Sequence, residues 1–361
     1  MRIVLILTML TIFLLAGCMT NKQQYISNEP PKMERDTVEI SNVELEVIAD
    51  KLATPWSIEK VDNTFYLSER PGNIVKIANG EIERQHVKLE KNLATASEAG
   101  LLGFVLAPDF PKSNLAYAYY TYVDGSKQFN RIITLRLEEN HWNEEQVLLD
   151  HIKNGSYHHG GRLKIGPDGK LYATIGDALD PSKAQDRDTL EGKILRMNLE
   201  GSVPSDNPFP NSYVYSYGHR NPQGMAWATD GTLYASEHGN TANDEVNRIE
   251  AGQNYGWPII EGTEKQEGLI APLFTSGSNT TWAPSGMDYN DGKLYVAALK
   301  GTAVLEFNIE KGEQRKIISG VGRIRDILVD GKYLYFISNN TDGRGIPQEN
   351  DDKLYRIPLS F

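Results

Sequence analysis

Asp168-Gly169-Lys170-Leu171-Tyr172 joins a tight turn to the start of a β-strand, and this phrase decides the fold because it recurs along the chain. Asp-Gly favours a hairpin turn, since glycine readily adopts the positive φ angle that such turns require. The apolar residue and the tyrosine then begin a strand that pairs back. Five further copies, two of them weaker, begin at Asp62, Ser113, Asp230, Asp291 and Asp330.

A second strand with alternating side chains follows most copies. Lys193-Ile194-Leu195-Arg196-Met197 is one example, and residues 73–77, 245–249 and 353–357 repeat its pattern. Such alternation places one face of a strand in a core and the other towards solvent. The copies recur at roughly 40 to 60 residues, the period of four-stranded propeller blades. We therefore predict an all-β fold, a six-bladed β-propeller of four-stranded antiparallel blades.

Two alternatives to this architecture stay open. A β-sandwich with unrelated Asp-Gly hairpins would also be all-β, although the even spacing favours the propeller. A further, divergent blade is also compatible with the pattern. In either propeller we expect the last strand, which ends near Phe361, to pair with a strand from residues 43–49. That pairing would close the ring and leave no exposed sheet edge.

The first residues of the chain form a targeting segment. Arg2 precedes an apolar run from Ile3 to Leu15, which is shorter than the about 20 residues that span a bilayer and fits a signal peptide. The small residues before Cys18 match a bacterial lipoprotein cleavage site, with the cysteine thiol as the lipid attachment point. The alternative is an ordinary signal peptide with an incidental cysteine.

These patterns divide the chain into three segments. We predict a signal peptide over residues 1–17, a lipidated cysteine and flexible tether over residues 18–44, and the propeller over residues 45–361. The tether assignment rests on polar composition and on Pro30-Pro31. The alternative is a first strand that already begins at Val38.

The composition narrows the partners. The formal net charge of −11 argues against nucleic acid, which normally requires a basic patch. Cys18 is the only cysteine, so an internal disulfide is impossible. An acidic chain has carboxylates to spare for a cation such as calcium. We expect an exported monomer or weak dimer that is held at the extracytoplasmic face of a bacterial cell membrane by its lipid alone.

Four loops interrupt the blade pattern with clustered polar residues. In the first, Tyr157-His158-His159-Gly160-Gly161, an imidazole adjoins a backbone that can approach a ligand closely. Histidine can accept a hydroxyl proton near neutral pH. Adjacent histidines on a strand point to opposite faces, so we expect one of them to face a site. A structural role is the alternative.

Two further loops carry arginines. Arg220-Asn221-Pro222 offers a planar guanidinium fork and an amide on a rigid loop, which suits carboxylates or carbonyls. Arg323 and Arg325 lie two residues apart and would share one strand face, with Asp326 on the other. The alternatives are a plain turn with a surface arginine and a solvated basic edge.

The remaining loop is rich in oxygen donors. It contains Glu237-His238-Gly239-Asn240 and Asp244-Glu245, and continues to Tyr255. Carboxylates together with free carbonyls suit calcium, which takes about six to eight oxygen ligands. The spacing differs from that of an EF-hand, so the loop alone is a weak metal motif.

These four loops, in this order, resemble the soluble quinoprotein glucose dehydrogenases and aldose sugar dehydrogenases, also called glucose/sorbosone dehydrogenases. The resemblance covers residues 45 to 360. It extends to Pro55-Trp56, to residues 68–72 and 98–104, and to Gly176-Asp177.

The resemblance implies an enzyme that oxidises aldoses at C1 to the lactone, using pyrroloquinoline quinone (PQQ) and Ca²⁺. His158 would be the general base and Arg220 would stabilise developing negative charge. The cofactor-contact positions would be Glu98, His158, Arg220, Asn221, His238, Lys300, Arg323, Arg325 and Asn339. Ca²⁺ would be bound by the carbonyls of Gly239 and Asn240, and a second, structural Ca²⁺ by Glu245 and Tyr255.

The sequence also departs from the best-known glucose-oxidising members. Tyr157 and Asn339 stand where those members carry aspartate, and Glu98 and His238 stand where they carry glutamine. The chain is shorter as well. These departures favour broad aldose specificity over strict glucose specificity, and they leave the electron acceptor open.

Two other functions compete with the dehydrogenase. A calcium-binding propeller could bind a glycan or a protein without turnover, although such a binder has no need of His158 beside an arginine cluster. A calcium-dependent lactonase would need carboxylates and asparagines that converge on one metal. The predicted channel residues are mainly basic, which suits an anionic cofactor better.

Overall fold

The computed structural model describes residues 45–359 as a chain of β-strands with two one-turn helices. The predicted signal peptide, Cys18 and nearly all of the predicted tether lie outside the described residues. The helices are α1 (Phe110–Ser113) and α2 (Pro181–Ala184). Neither helix in this part of the chain is long and apolar enough to span a membrane.

The strands follow the chain in groups of four. The first nine are β1 (Glu46–Ala49), β2 (Pro55–Val61), β3 (Thr64–Glu69), β4 (Asn73–Ala78), β5 (Glu81–Lys88), β6 (Leu101–Leu106), β7 (Leu115–Asp124), β8 (Lys127–Glu138) and β9 (His141–Lys153). The next eight are β10 (Leu163–Ile165), β11 (Leu171–Ile175), β12 (Lys193–Met197), β13 (Val214–Tyr217), β14 (Pro222–Trp227), β15 (Leu233–Glu237), β16 (Glu245–Ile249) and β17 (Phe274–Thr275). The last seven are β18 (Pro284–Asn290), β19 (Lys293–Ala298), β20 (Ala303–Asn308), β21 (Glu313–Ile318), β22 (Ile324–Asp330), β23 (Tyr333–Ser338) and β24 (Leu354–Pro358).

The described strands form four antiparallel four-stranded sheets and one eight-stranded sheet. The four-stranded sheets are β10–β13, β14–β17, β18–β21, and β22–β24 together with β1. The eight-stranded sheet consists of two antiparallel halves, β2–β5 and β6–β9. These halves are joined by a short parallel pairing of β5 with β9, at Val87↔Trp142 and Lys88↔Asn143. The arrangement is that of a β-propeller, and the prediction of an all-β fold is confirmed.

The recurring turn phrase occupies the same place in every group. Each copy links the first strand of a group to its second, as Asp168-Gly169 links β10 to β11. Gly169 has a φ of 71°, which is the left-handed conformation that the Asp-Gly pattern predicts. The tyrosine of each copy is buried on the second strand: Tyr66, Tyr117, Tyr172, Tyr234, Tyr295 and Tyr335.

Each of these tyrosines belongs to a separate hydrophobic cluster that lies between two neighbouring groups. Tyr66 of the β2–β5 group packs edge-on against Phe110 and Trp142 of the next group. Tyr335 on β23 packs against Phe65 on β3, with ring centroids 4.9 Å apart. The last group therefore packs against the first, and the buried tyrosines stabilise the contacts around the ring.

The ring also closes through the backbone, as predicted. β1 pairs antiparallel with β24, with Glu46 opposite Arg356 and Val47 opposite Tyr355. The Arg356 guanidinium donates to the Glu46 carboxylate at 2.8 Å. The strand that begins the described chain thus completes the sheet that ends it, so that β1 covers the edge of β24 and becomes the outer strand of that sheet.

Alternation of strand direction separates the two faces of the propeller. Within a group, the links from the first to the second strand lie on one face. The links from the second to the third strand, and from one group to the next, lie on the opposite face. The turn phrase occupies the first face. The polar loops that contain His158, Arg220, His238 and Arg323 all occupy the second.

Candidate functional site

The second face contains a cleft that is lined by residues from distant parts of the chain. Its walls include Trp56, Arg70, Glu98, His159, Gly160, Gln223, Arg325, Asp342 and Arg344. Glu98 lies between β5 and β6, His159 between β9 and β10, and Arg344 between β23 and β24. The ring therefore gathers side chains from distant parts of the chain, such as Glu98 and Arg344, which are 246 residues apart and in direct contact.

His158 adjoins His159 of the cleft wall and is fixed by a carboxylate. Its ring Nδ1 lies 2.7 Å from Asp177 Oδ1. Trp257 Nε1 donates to Asp177 Oδ2 at 2.9 Å, and the main-chain N–H of Leu179 donates to Asp177 Oδ1 at 3.0 Å. Asp177 is almost fully buried. This arrangement holds the proton on Nδ1 and leaves Nε2 of His158 to accept another.

The backbone at His158 depends on a neighbouring glycine. His158 has a φ of 66°, and a Cβ atom at Gly176 would lie only 1.9 Å from the His158 carbonyl oxygen. Glycine at position 176 therefore allows the backbone before Asp177 to lie in close contact with the backbone of His158. The Gly176-Asp177 phrase was visible in the sequence, but its pairing with His158 was missed.

The expectation that the two histidines alternate along a strand is wrong, because residues 154–162 lie between β9 and β10 outside any strand. His159 is buried, with its Nδ1 3.2 Å from Thr121 Oγ1, and it also lines the cleft. Burial lowers the pKa of His159 to about 4, so this ring is neutral near pH 7. Of these two histidines, His158 is the one with a carboxylate partner of the kind that supports a base.

Arg220 and Asn221 lie beside the histidine. The Arg220 guanidinium lies over the Trp257 ring, 5.4 Å from its centroid, and burial lowers the pKa of Arg220. Its main-chain carbonyl accepts the N–H of Asp177 at 2.8 Å. Asn221 is buried, and its Oδ1 accepts the main-chain N–H of Gly160 at 3.0 Å. Both residues thus connect the first and second predicted loops.

Arg323 lies just before β22 and Arg325 lies on it, so the expected shared strand face is not formed, but both side chains approach the same carboxylate. Arg323 donates to Asp342 Oδ2 at 2.8 Å, and Arg325 lies 3.8 Å from the same oxygen. Arg325 also donates to Asn339 Oδ1 at 3.1 Å. Asp326 points the other way and accepts from Arg162 Nη1 at 2.9 Å, so its predicted separation from the arginines is correct.

The cleft is less basic than the sequence suggested. Asp342 neutralises part of the charge of Arg323 and Arg325, and Glu98 accepts from Arg344 Nη1 at 2.7 Å. Burial acts to raise the pKa of Glu98, but Arg344 and nearby histidines outweigh it and lower the pKa to about 2. Glu98 is therefore ionised. Asp342 and Arg344 were missed because neither lies in a loop that the sequence pattern marked.

Several polar atoms in the described part of the site are buried and have no hydrogen-bond partner. Within residues 45–359, the Nε2 atoms of His159 and His238 and the Nε of Arg220 are buried and have no hydrogen-bond partner. A buried polar group without a partner costs free energy, so such atoms indicate where a ligand binds. One free guanidinium N–H and two imidazole nitrogens, beside several further guanidiniums, fit a polar ligand that carries carboxylates.

Three of the four predicted calcium residues, Gly239, Glu245 and Tyr255, line a second cavity. Arg220 and Glu237 line it as well. Burial, followed by repulsion from Glu237, raises the pKa of Glu245 to about 8. Two buried carboxylates that repel each other fit a cation between them. The Tyr255 hydroxyl donates to the Arg248 carbonyl at 2.7 Å. The main-chain carbonyl of Tyr255 is therefore the predicted calcium ligand.

Gly239 and Asn240 form a tight turn near Arg220. A Cβ atom at Gly239 would lie 1.9 Å from the Ala242 carbonyl oxygen, so glycine is required there. The Asn240 carbonyl lies 3.5 Å from Arg220 Nη2. Among the described residues, no three His, Cys, Asp or Glu side chains cluster as metal ligands. The prediction for this turn is accordingly that carbonyl oxygens would bind calcium.

Lys300 is the predicted residue with the fewest contacts in the site. It is exposed, and its main-chain N–H donates to the Trp282 carbonyl at 3.0 Å. Its link between β19 and β20 lies on the same face as the cleft.

Known proteins match this chain over most of its length. A family model described as glucose/sorbosone dehydrogenase matches residues 52–355. The aldose sugar dehydrogenase of Escherichia coli strain K12 is 30% identical over 84% of this chain and 92% of that protein. Quinoprotein glucose dehydrogenase B of Acinetobacter calcoaceticus is 34% identical over 66% of this chain and 57% of that protein. The solved structure of PQQ-bound aldose sugar dehydrogenase from Streptomyces coelicolor is 33% identical, with a TM-score of 0.81, and covers 87% of this chain and 98% of that one.

Proposed function

The chain belongs to the glucose/sorbosone dehydrogenase family, and from this premise we propose that it oxidises aldose sugars at C1 to the lactone with PQQ and Ca²⁺. The observation that carries the proposal is the His158–Asp177 pair beside a cleft with buried polar atoms that have no partner within the described residues. When bound, the Ca²⁺-polarised quinone would accept the hydride from C1 and be reduced to the quinol.

His158 supplies the proton-transfer half of this reaction. Its Nε2 would accept the proton of the C1 hydroxyl while the C1 hydrogen leaves as hydride. Asp177 stabilises the resulting imidazolium because its carboxylate lies 2.7 Å from Nδ1. Trp257 restrains Asp177 through its indole N–H. These contacts orient the base before the substrate arrives.

Arg220 supplies positive charge beside the reacting oxygen. Its guanidinium is held over Trp257, within the same group of contacts as His158 and Asp177. A fixed positive charge in a site with little water stabilises the negative charge that develops on the sugar oxygen. Asn221 orients the Gly160 backbone next to the base.

The remaining predicted residues would hold the cofactor and the cations. Arg323, Arg325 and Lys300 suit carboxylates, and Glu98, His238 and Asn339 suit polar edges of the ring system. The carbonyls of Gly239 and Asn240 would bind the catalytic Ca²⁺. Glu245 and the Tyr255 carbonyl would bind the structural Ca²⁺.

We also propose that the propeller has six blades. The two antiparallel halves of the eight-stranded sheet then count as separate blades, because only a two-residue parallel pairing joins them. Each group of four strands contains one turn phrase and one of the six buried tyrosines, which supports this count. The six tyrosine clusters then lie between neighbouring blades. An experimental structure with a seventh blade would contradict it.

The chain is further proposed to be an exported lipoprotein. The motif before Cys18 supports lipid attachment there, and residues 18–44 would link the lipid to the propeller. The extracytoplasmic face of the cell membrane would be its location, with the aldose and an electron acceptor as its partners.

Reconstitution tests the proposed function. Purified apoprotein is supplied with PQQ and Ca²⁺, then with a panel of aldoses, while reduction of an artificial dye is followed. We expect dye reduction that requires the quinone, the cation and the sugar together. Calcium-dependent lactone hydrolysis without the quinone would instead support a lactonase. Glycan binding with no dye reduction would support a non-catalytic binding protein.

A further inference from the structure

Arg344 is fixed at the mouth of the cleft by its own loop. The loop connects β23 to β24. Asp342 Oδ1 accepts the main-chain N–H of Arg344 at 2.9 Å, and Asp342 Oδ2 accepts from Arg323 at 2.8 Å. Gly345 packs against the backbone of Asn340, where a Cβ atom would lie 2.5 Å from the carbonyl oxygen. The position of Arg344 is therefore set by contacts on both sides of it.

The Arg344 side chain reaches across the cleft to the segment that carries the base. Its Nη1 donates to Glu98 Oε1 at 2.7 Å, and its guanidinium lies over the Tyr157 ring, 5.2 Å from the centroid. Glu98 Oε2 accepts the main-chain N–H of His158 at 3.2 Å. Arg70 fixes the Glu98 segment by donating to the Ala99 carbonyl at 2.9 Å. One continuous set of contacts thus links Arg344 to His158.

This ion pair is open to the cleft. The side chain of Arg344 is 47% exposed and that of Glu98 is 22% exposed. An arginine has five N–H donors and a carboxylate has about four acceptor sites, so each partner retains capacity for a ligand. A donor and an acceptor side by side match a hydroxyl group, which both donates and accepts. Because the pair is electrically neutral overall, it suits a neutral sugar better than an acidic one.

Resting on the proposed function, we propose that the Arg344–Glu98 pair binds the hydroxyl on the sugar carbon next to C1, which makes Arg344 a specificity-determining residue. His158 would act on the C1 hydroxyl, and Glu98 contacts the main chain of the same residue. The C2 hydroxyl is the nearest remaining hydroxyl of the sugar, and unlike the ring oxygen it can also donate a hydrogen bond to Glu98. Tyr157 offers no carboxylate there, and its ring instead supports the guanidinium that completes the site.

The proposal is tested by removing the Arg344 side chain and the C2 hydroxyl of the sugar, first separately and then together. kcat and KM are measured for glucose and 2-deoxyglucose with the wild-type protein, Arg344→Ala and Arg344→Lys. We expect Arg344→Ala to lower kcat/KM for glucose by about 10- to 100-fold, the loss for a charge-assisted hydrogen bond, mainly through KM. Activity on 2-deoxyglucose should be unchanged. Arg344→Lys should lie between, because it keeps the charge and loses the planar fork.

Matched controls separate this effect from a general defect. Arg187→Ala removes another exposed arginine, which lies over Phe209, and should leave both sugars unaffected. Because Glu98 also stands at a predicted cofactor contact, PQQ affinity is measured by titration for every variant, and kcat and KM are determined at saturating PQQ. An equal loss on both sugars, or no loss on either, would overturn the role of Arg344. Failure of the proposed function is distinguishable, because the wild-type protein would then oxidise neither sugar.

Discussion

At the scale of single residues, the base His158 and its partner Asp177 flank the β10–β11 hairpin, one before its first strand and one after its second. His158 precedes β10 and Asp177 follows β11, and the β10–β11 pairing brings them to the same face. The sequence resemblance identified His158, whereas the role of Asp177 depends on the antiparallel pairing of β10 with β11. A carboxylate just after the second strand of the same group is the signal that could have found it.

Substitution of either residue tests the pair. His158→Ala should lower turnover by about two to four orders of magnitude, since proton abstraction is lost. Asp177→Asn should also lower kcat, because the amide neither orients the ring nor stabilises the imidazolium as well. The readout is steady-state dye reduction by reconstituted protein, with quinone binding measured in parallel. Normal turnover in either variant, at normal quinone binding, would remove that residue from the mechanism.

Glu59 provides a pH-dependent test outside the cleft. Burial raises its pKa from 4.5 to about 7, with Lys164 opposing and Asp326 adding to the shift. The folded protein then binds more protons than the unfolded chain between these two values, so this group lowers stability as pH rises from 4.5 to 7. The unfolding free energy of Glu59→Gln minus that of the wild type should therefore be higher at pH 8 than at pH 4, by about 1–3 kcal/mol.

The readout for Glu59→Gln is urea unfolding at both pH values. Glu81→Gln, which changes an exposed carboxylate on β5, is the matched control and should show no such difference. Equal effects of Glu59→Gln at the two pH values would contradict the argument.

At the scale of elements, the turn phrases predicted the strands well and the functional loops poorly. Asp-Gly and the following tyrosine depend on local backbone preference, so they identify the link between first and second strands in each group. The loop between β23 and β24 contains Asp342 and Arg344, yet it has no local signal. Its function arises only when the ring brings it beside Glu98, which lies 246 residues away from Arg344.

Ring closure by β1 can be measured directly. A protein that begins at residue 51 lacks β1 and should lose about 2–4 kcal/mol of unfolding free energy, because several backbone hydrogen bonds to β24 are lost. The exposed edge of β24 should also promote association. A protein that begins at residue 45 is the control and should unfold like the longer chain. Identical unfolding curves for the two truncations would contradict closure through β1.

At the scale of the whole molecule, sequence composition and the first residues predict location rather than fold. Lipid attachment at Cys18 is tested by expressing the full chain in bacteria with a labelled fatty acid. We expect label in the wild-type protein and its loss in Cys18→Ser. Fractionation should find the wild-type protein with the membrane and the variant released from it. Label retained in Cys18→Ser would refute the attachment site.

The ring as a whole explains why a cleft forms from residues with no sequence proximity. Six buried tyrosines fix neighbouring groups against one another, so loops from distant groups meet on one face. Of the residues that line the cleft, the family resemblance predicted Glu98 and Arg325. It could not predict that Asp342 and Glu98 pair with three of the arginines, since those contacts depend on loops that meet only in the folded chain.

One measurement tests the central claim most directly. The protein loaded with PQQ and Ca²⁺ is mixed with glucose in the absence of oxygen and of any dye, and the absorbance of the bound quinone is followed through a single turnover. The account predicts reduction of the quinone, slower with glucose deuterated at C1 and nearly abolished in His158→Ala. A quinone that binds the protein yet stays oxidised in the presence of every aldose tested would contradict the account.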